Sequence, residues 1–293
     1  MPDGNRYLIV ANPVARRNAE SILEVLREMS PAGSVFDVTH TAVDRLEPGS
    51  LSAQAQGSSA VIAVGGDGTV AEAATAIEGT ELPIGIIPAG STNVIARSFS
   101  IPKDVRQAAR IVFERPTTRV LDVGICNGRR FLHMGGAGFD SKMFAATNQT
   151  LKRRLGWFAY LQGATKSIIA PSSYVTVNVD GTVLECSSPL VLVANGSSIV
   201  TPSFSVLPDI KYDDGILDVI VITSTRATEI ARTIGRFVIR SLQNSPFALH
   251  LRGQSMMLSA DPPIPVQLDG DVIGDTPASF SILPRAAELI VPW

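Results

Sequence analysis

The chain has 293 residues, of which 45% are hydrophobic and 18% are charged, and its net charge is −2. Such a composition supports one large or two ordinary folded domains and excludes global disorder. A charge this close to zero argues against a general nucleic-acid-binding protein, so no nucleic-acid partner is expected.

The first part of the chain alternates strand patterns with helical patterns. The opening run RYLIVAN is continuously apolar, which is typical of a buried parallel strand. Helical spacing of Ile22, Val25, Leu26 and Met29 follows in NAESILEVLREM. Further strands are predicted in SVFDVTH, AVIAVGG, LPIGIIPAG and RVLDVGI. This alternation predicts a doubly wound α/β lobe with a parallel sheet.

From about residue 124 the pattern changes to β structure. Asn127-Gly128 and Asp180-Gly181 are two-residue hairpin signals between apolar or β-branched neighbours. The stretch SYVTVNVDGTVLECSSPLVLVANG predicts a meander, and one helix is predicted in ATEIARTIGRFVIRSL. We therefore predict an α/β lobe followed by an antiparallel β lobe, with the boundary near residues 123 to 126.

A glycine-rich loop, Gly65 to Thr69, stands between the third predicted strand and an alanine-rich helix. In open α/β sheets, ligands bind beyond the carboxyl ends of the strands. Amides at a helix N-terminus suit phosphate, and glycines let the backbone approach it closely. Similar loops, Pro88 to Asn93 and Asn12 to Arg16, follow two other strands. Three such strand ends predict a nucleotide site.

Asp67 is an unusual residue in a phosphate loop, because its carboxylate would repel the ligand. Binding of Mg²⁺, or acceptance of a proton or hydrogen bond from a substrate hydroxyl, would explain it. The alternative is that Asp67 only caps the helix that starts at Thr69.

Six segments follow one another in an order that resembles the soluble diacylglycerol kinase family: VGGDGTVAEA, GIIPAGSTNVIAR, LDVG, GGAGFD, LPDIKYDDGILDVIVI and VQLDGD. Sphingosine and ceramide kinases carry the same catalytic domain. The resemblance extends from Tyr7 to Pro292. GGDG alone would also fit NAD kinases, but its combination with the downstream DDG and DGD elements is specific.

This resemblance implies two lobes with ATP in the cleft between them. Residues 1–123 would form the α/β nucleotide-binding lobe, similar to that of NAD kinases, and residues 286–293 would return to it. Residues 124–285 would form a β-sandwich-like lipid lobe. The implied ATP contacts are Asn12, Pro13, Val14, Ala15, Arg16, Thr41, Gly66, Asp67, Gly68, Thr69, Glu72 and Ser91.

The resemblance also implies a structural Mg²⁺. Its ligands would be Asp214 and the backbone carbonyls of Lys211 and Ile216, with Asp122 a further member of the acidic network. The residue types alone support part of this expectation, because Asp213-Asp214-Gly215 is a turn able to hold a hard cation. An ordinary turn is the alternative.

Asp271 in LDGD would be the general base that takes the proton from the lipid hydroxyl, with Asp67 as the second candidate. Relatives usually have Glu at position 271. Because the Asp271 side chain is one methylene group shorter, the backbone must bring its carboxylate closer to the lipid hydroxyl. Ala15, Arg16, Ala71 and Val94 also depart from the family pattern. Asp271 and Val94 favour one alternative, a non-catalytic nucleotide- or lipid-binding relative. The other alternative is a kinase for a different small molecule such as NAD.

A basic and aromatic segment, LKRRLGWFAYLQGATKSIIA, is typical of a surface that rests on an anionic membrane, although a packed helix with a solvated face would look the same. The chain has two cysteines and no run of about 18 apolar residues. We expect a cytoplasmic protein, peripheral at the inner membrane face, whose partner is a lipid substrate. Asn195, Phe139 and Asp140 would border the lipid site. The sequence is also compatible with a homodimer.

Overall fold

The structure, a computed structural model, describes part of the chain in detail. The described residues are 5–12, 16–41, 46–90, 92–114, 117–138, 172–197, 206–207, 209–224, 226–238 and 241–293, without the side chains of 16–19, 227, 231, 234 and 238. Contacts divide the chain into two compact units. Unit 1 comprises Met1–Val123 and Pro284–Trp293, and unit 2 comprises Gly124–Leu283.

The strands of unit 1 are β1 (Arg6–Ala11), β2 (Val35–His40), β3 (Ala60–Gly65), β4 (Ile84–Pro88) and the first part of β5 (Thr117–Cys126). The first four form a parallel sheet with the order β2-β1-β3-β4. The last part of β16 (Ala278–Val291) returns to this unit, where Leu289 pairs in parallel with Ile84. Strands β3 and β4 are buried along their whole length, which explains why their sequences are continuous apolar runs.

Helices connect the strands of unit 1. They are α1 (Arg16–Met29), α2 (Ser52–Ala55), α3 (Asp67–Ala76), α4 (Val94–Ser98) and α5 (Val105–Phe113). Helix α3 packs on β3, and its alanines are buried, because small side chains let the helix lie close to the sheet. Tyr7, Phe36 and Phe113 form an aromatic cluster, with the Tyr7 ring stacked on Phe36 at 5.5 Å.

Unit 2 is antiparallel and has two sheets. Its strands are β6 (Arg129–Phe131), β7 (Met134–Ala137), β8 (Ser173–Val179), β9 (Thr182–Ser188), β10 (Leu190–Ala194), β11 (Leu217–Ile222), β12 (Ala248–Gly253), β13 (Ser255–Asp261), β14 (Pro265–Leu268) and β15 (Asp271–Asp275). One sheet has the order β12-β11-β10-β7-β14-β15, and β9, β8, β13 and the first part of β16 pair in the other. Helix α6 (Ala227–Val238) also lies in this unit.

Both sheets of unit 2 contribute to one buried cluster. Val177 and Leu258 come from β8 and β13 of one sheet, and Val219 and Val266 come from β11 and β14 of the other. Phe131 and Phe280 meet edge to face at 6.2 Å in the same cluster. The predicted fold class, a parallel α/β lobe followed by an antiparallel β-sandwich-like lobe, is confirmed.

The predicted meander is wrong in one respect. Strands β8 and β9 form a hairpin at Asp180-Gly181, where both residues have positive φ, as predicted. Strand β10, however, pairs with β7 and β11 in the other sheet. Pro189 separates β9 from β10, and it lacks the N–H that a continuing ladder would require. The Ser188 hydroxyl instead donates to the carbonyls of Leu190 and Ile222, at 2.9 and 2.7 Å.

Among the residues that the structure describes, no helix is both long enough and apolar enough to cross a membrane.

Candidate active site

The carboxyl ends of four parallel strands lie side by side in unit 1. Ala11 pairs with His40 and with Val64, and Gly65 pairs with Pro88. Asn12 follows directly and donates its backbone N–H to the Val64 carbonyl at 3.2 Å. Thr41, which is buried, donates its N–H to the Ala11 carbonyl at 2.8 Å. Register therefore brings Asn12, Thr41 and the glycine loop to one edge of the sheet.

The loops after β3 and β4 touch at two glycines. The Gly65 carbonyl accepts the N–H groups of Ala89 and Gly90 at 2.9 and 3.2 Å. A Cβ on Gly90 would lie 2.6 Å from the Gly66 Cα, which is closer than side-chain carbons approach backbone. Gly90 is therefore required by its contact with Gly66.

Asp67 is buried and holds the next loop in place. Its Oδ2 accepts the Val94 N–H at 3.0 Å and the Thr92 hydroxyl at 3.3 Å, and its Oδ1 accepts the Ile95 N–H at 2.9 Å. The carboxylate thus caps the first amides of α4. The alternative that Asp67 caps the helix after its own loop is wrong. Helix α3 begins at Asp67 itself, after Gly66, and no side chain of the described residues caps it.

This contact changes what Asp67 can do chemically. Both of its oxygens receive hydrogen bonds from α4 and Thr92, so both are engaged in holding the loop that follows β4. A carboxylate in this position serves as a structural link between the two loops. The Asp67 carboxylate also faces the N-terminus of α4. The partial positive charge of that helix end offsets the negative charge of Asp67, which would otherwise repel an anion at α3.

Sequence reasoning missed Asn93. This residue is buried, adopts a left-handed conformation with φ 49°, and closes the loop on itself. Its side-chain amide donates to the Gly90 carbonyl at 2.9 Å, and its Oδ1 accepts the Gly90 N–H at 3.0 Å. The available signal was the Gly90-to-Asn93 spacing, because asparagine readily adopts this conformation and bonds nearby backbone.

The remaining predicted ATP contacts, in α3 and at Gly66 just before it, differ in how exposed they are to solvent. Gly66, Gly68 and Glu72 are half-buried, whereas Thr69 is buried. Within the described part of the chain, the Thr69 hydroxyl has no hydrogen-bond partner. Its Cβ and Oγ1 lie where a Cβ on Gly65 would collide with them, so Gly65 makes room for Thr69.

Several predicted residues lie outside the described residues. These are Pro13, Val14, Ala15, Ser91, Phe139, Asp140 and the basic and aromatic segment 151–170. Arg16 begins α1, but its side chain also lies outside the described part.

In unit 2, Asp271 is exposed at the start of β15, directly after a tight hairpin turn. Asp269 and Gly270 form this turn with positive φ values of 47° and 97°. The Asp269 carboxylate folds onto the segment between β6 and β7, where it accepts the N–H groups of Leu132, His133 and Met134 at 3.0, 3.1 and 2.9 Å. Asp269 therefore anchors the turn that carries Asp271.

Asp214 lies in a turn with Gly215 at φ 71°. Its Oδ2 is 2.5 Å from Nη2 of Arg252, whose Nε is 3.2 Å from Oδ1 of Asp218. His250 also contacts Asp218, through Nε2 at 2.6 Å. Oδ1 of Asp214 is buried and has no hydrogen-bond partner among the described residues. This oxygen suits a hard cation.

A metal here would need backbone oxygens as ligands. Within the described ranges, no three His, Cys, Asp or Glu side chains gather as a metal-binding group. The carbonyls of Lys211 and Ile216, on either side of Asp214 in the turn, are of the type that Mg²⁺ and Ca²⁺ accept. Asp122 belongs to unit 1, is fully buried, and accepts the Arg285 N–H at 2.8 Å. It thereby ties β5 to the returning β16.

Asn195, predicted to border a lipid site, is fully buried at the end of β10. Its side-chain amide donates to the Leu132 carbonyl at 2.8 Å. Its position therefore supports the same segment, Leu132 to Met134, that Asp269 holds.

Two family models match the chain. One, described as the diacylglycerol kinase catalytic domain, matches residues 6–126. The other, described as the YegS C-terminal NAD kinase beta sandwich-like domain, matches residues 134–291.

Similar proteins cover almost the whole chain. An uncharacterized protein of Synechocystis sp. (strain ATCC 27184 / PCC 6803 / Kazusa) is 27% identical over 97% of this chain and 70% of its own length. The diacylglycerol kinase of Staphylococcus carnosus (strain TM300) is 25% identical over 98% of this chain and 95% of its own length. A solved structure described as a diacylglycerol kinase from Bacillus anthracis str. Sterne matches with a TM-score of 0.69 and 23% identity, covering 100% of this chain and 98% of that one.

Proposed function

Because this chain belongs to the diacylglycerol kinase family, we propose that it is an ATP- and Mg²⁺-dependent lipid kinase. Its substrate would be the hydroxyl group of diacylglycerol or of a related acylglycerol or sphingoid lipid. The observation that carries this proposal is the pair of glycine loops that touch at Gly66 and Gly90. They present the first amides of α3 at the carboxyl edge of a parallel sheet, while Asp67 is turned to α4.

The triphosphate would bind at this edge. Backbone amides at the start of α3 provide partial positive charge, and Gly66 and Gly68 leave room for phosphate oxygens. Asn12, Thr41 and Glu72 are brought to the same region by strand register and by helix α3. Ser91, Arg16 and the residues 13–15 remain proposed contacts on the basis of the resemblance alone.

Asp271 is the preferred general base. It is exposed, whereas Asp67 is buried and receives hydrogen bonds on both oxygens. Transfer to a lipid hydroxyl requires a group that can reach the hydroxyl proton when the oxygen attacks the γ-phosphorus atom. Asp271 begins a strand behind an anchored turn, so its backbone is held while its side chain stays accessible.

The turn around Asp214 is the proposed structural Mg²⁺ site. Oδ1 of Asp214, which is buried and has no hydrogen-bond partner in the described part of the chain, would be one ligand, and the carbonyls of Lys211 and Ile216 would be others. When bound, Mg²⁺ supplies positive charge that neutralises the buried carboxylates around it. Asp122 keeps its proposed place in the wider acidic network.

Access to lipid would come from a membrane surface. Lys152, Arg153 and Arg154 beside Trp157 and Phe158 are the proposed contact, which would place the protein at the inner face of the membrane. Asn195, Phe139 and Asp140 stay proposed borders of the lipid site. Reversing the three basic charges should weaken binding to anionic liposomes, and unchanged binding would favour a packed helix instead.

The test is transfer of labelled phosphate from ATP to a lipid panel, with NAD as a competing acceptor. We expect a labelled lipid only when Mg²⁺ is present. Asp271→Ala should lower kcat on the order of a hundredfold, because a positioned base contributes about that much. Asp275→Ala, which removes another exposed carboxylate of β15, is the matched control and should retain activity.

Three results would contradict the proposal. Label on NAD but not on lipid would favour a small-molecule kinase. If a single-turnover experiment transfers no labelled phosphate to any acceptor, the protein would instead be a binding protein. Equal activity of the Asp271→Ala and Asp275→Ala variants would remove Asp271 from the mechanism. Asp271→Glu, which restores the usual family residue, measures whether the shorter carboxylate limits the rate.

A further inference from the structure

The segment from Leu132 to Met134 is fixed by hydrogen bonds from several directions. Asp269 accepts its three N–H groups, and Asp269 donates its own N–H to the Met134 carbonyl at 2.8 Å. The His133 carbonyl accepts the N–H groups of Asn195 and Gly196, both at 3.0 Å. Because Asp271 is two residues after Asp269, the position of this segment sets the position of Asp271.

The His133 side chain connects the same segment to the Asp214 turn. Its Nδ1 lies 2.7 Å from the Tyr212 hydroxyl, and the two rings stack with their centroids 5.9 Å apart. His133 is buried, with 5% of its surface exposed. Tyr212 is two residues before Asp214 and therefore part of the turn that would bind Mg²⁺.

Gly196 keeps the Tyr212 ring in this position. A Cβ on Gly196 would lie 2.3 Å from both Cζ and the hydroxyl oxygen of Tyr212. The ring consequently rests against backbone on one side and bonds His133 at its tip. Such a ring has little freedom to move without moving His133 or the Asp214 turn.

We propose that Tyr212 and His133 are positioning residues that couple the Asp214 turn to the loop carrying Asp271. The inference rests on the proposed function, because it takes Asp214 as a cation ligand and Asp271 as the base. A cation held by Asp214 and by the carbonyls of Lys211 and Ile216 would restrain the turn. Tyr212 transmits that restraint to His133, and the amides of Leu132 to Met134 transmit it to Asp269.

The coupling has a chemical consequence for transfer. Displacement of a reacting group by about 1 Å can lower a rate by about a hundredfold, so a base on a short Asp side chain needs a well-fixed backbone. The link therefore offers one way in which Asp271 compensates for the reach that a Glu would have.

Hydrogen exchange of the peptide that spans residues 131–135 measures the coupling without any catalysis. We compare the wild-type protein with Tyr212→Phe in EDTA and in Mg²⁺. The control is Tyr174→Phe, which removes an exposed hydroxyl that bonds only weakly to Glu185, at 3.4 Å. Mg²⁺ should slow exchange in the wild type and the control, by about fivefold if the restraint is equivalent to one hydrogen bond. In Tyr212→Phe most of this effect should be lost.

A second variant tests whether the position of the Tyr212 ring matters, and not only its hydroxyl. Gly196→Ala leaves the Tyr212 hydroxyl in the chain but displaces the ring, so it should also reduce the Mg²⁺ effect. The coupling is refuted if Mg²⁺ leaves exchange unchanged in the wild type. It is equally refuted if Tyr212→Phe and Gly196→Ala keep the full wild-type response.

Kinetics separates this inference from the proposed function. In the lipid kinase assay, Tyr212→Phe should lower kcat several-fold and leave KM for ATP unchanged, because the proposed nucleotide contacts lie in unit 1. Wild-type protein that phosphorylates no lipid, yet shows Mg²⁺-dependent exchange, would refute the proposed function and retain the coupling. Wild-type protein that phosphorylates lipid but shows no Mg²⁺ effect on exchange would refute the coupling and retain the proposed function.

Discussion

The amide nitrogen of Ile95 lies 2.9 Å from Oδ1 of Asp67, although the two residues are 28 positions apart. The adjacent Val94 N–H and the Thr92 hydroxyl bond the other oxygen of the same carboxylate. Asp67 thereby joins the helix that follows β4 to the glycine loop that follows β3. The same side chain that the family resemblance places against ATP is thus also a structural element of unit 1.

Asp67→Ala should destabilise the protein as well as inactivate it. The substitution leaves two buried amides and a hydroxyl without their acceptor, which we expect to cost about 2–4 kcal/mol of unfolding free energy. Urea denaturation measures this loss. Asp37→Ala, which removes an exposed ion pair with Arg6, is the control and should cost about 1 kcal/mol or less.

Equal stability of these two variants would show that the Asp67 contacts contribute little. If the expected difference is found, lost activity in Asp67→Ala cannot identify a general base, because the loop itself is altered. Asp67→Asn retains one acceptor oxygen and should lie between the wild type and the alanine variant in stability.

The two touching glycines should respond differently to alanine. A Cβ on Gly90 meets the Gly66 Cα at 2.6 Å and Asn93 Oδ1 at 2.7 Å, whereas a Cβ on Gly66 meets the Gly90 Cα at 3.4 Å. We expect Gly90→Ala to cost about 1–3 kcal/mol, as overpacking does, and Gly66→Ala to cost about 1 kcal/mol or less. Thermal and urea unfolding of both variants would check the order, and a reversed order would mean that the loops do not cross as described.

Arg252 should compete with a cation for Asp214. Its guanidinium binds Oδ2 of Asp214 and Oδ1 of Asp218, so it already neutralises part of the charge that would attract Mg²⁺. Arg252→Gln should therefore tighten Mg²⁺ binding, on the order of tenfold for the loss of one adjacent positive charge. Titration calorimetry measures the affinity.

Arg129→Gln is the matched control for this experiment, because Arg129 is an exposed cation in the same unit. Its removal should leave Mg²⁺ affinity nearly unchanged, since salt screens distant surface charges. Weaker Mg²⁺ binding in Arg252→Gln than in this control would mean that Arg252 organises the turn and does not compete there.

Asp180 should make the stability of unit 2 sensitive to acid. Its pKa is lowered from 3.8 by hydrogen bonds from the Gln254 N–H, the Ser255 hydroxyl and the Ser255 N–H. A lowered folded-state pKa contributes stability above the ordinary value of 3.8, and this contribution is lost as the pH falls through the folded-state pKa.

The melting temperature of Asp180→Asn should therefore fall below that of the wild type at neutral pH. The gap should narrow as the pH falls below 3.8. A gap that stays constant across this range would mean that the charge on Asp180 does not contribute, and that any effect comes from the shape of the turn.

Local patterns in the sequence determined the fold class and the positions of several turns. Continuous apolar runs predicted the buried strands β1, β3 and β4, because a parallel strand that is covered on both faces has no polar side to alternate. The Asn127-Gly128 and Asp180-Gly181 pairs predicted turns with positive φ, which both adopt. Sequence also placed the change of pattern near residues 123 to 126, and the contacts divide between 123 and 124.

Only the tertiary structure decided which partners the polar groups have. Asp67 caps a helix that begins 27 residues later, Asp269 holds amides more than 130 residues earlier, and Asp214 pairs with Arg252. Such partners depend on strand register and on how the loops cross, and neither is encoded in the few neighbouring residues that determine a strand, a helix or a turn. For the same reason, the sequence alone could not show that Pro189 sends β10 into the other sheet of unit 2.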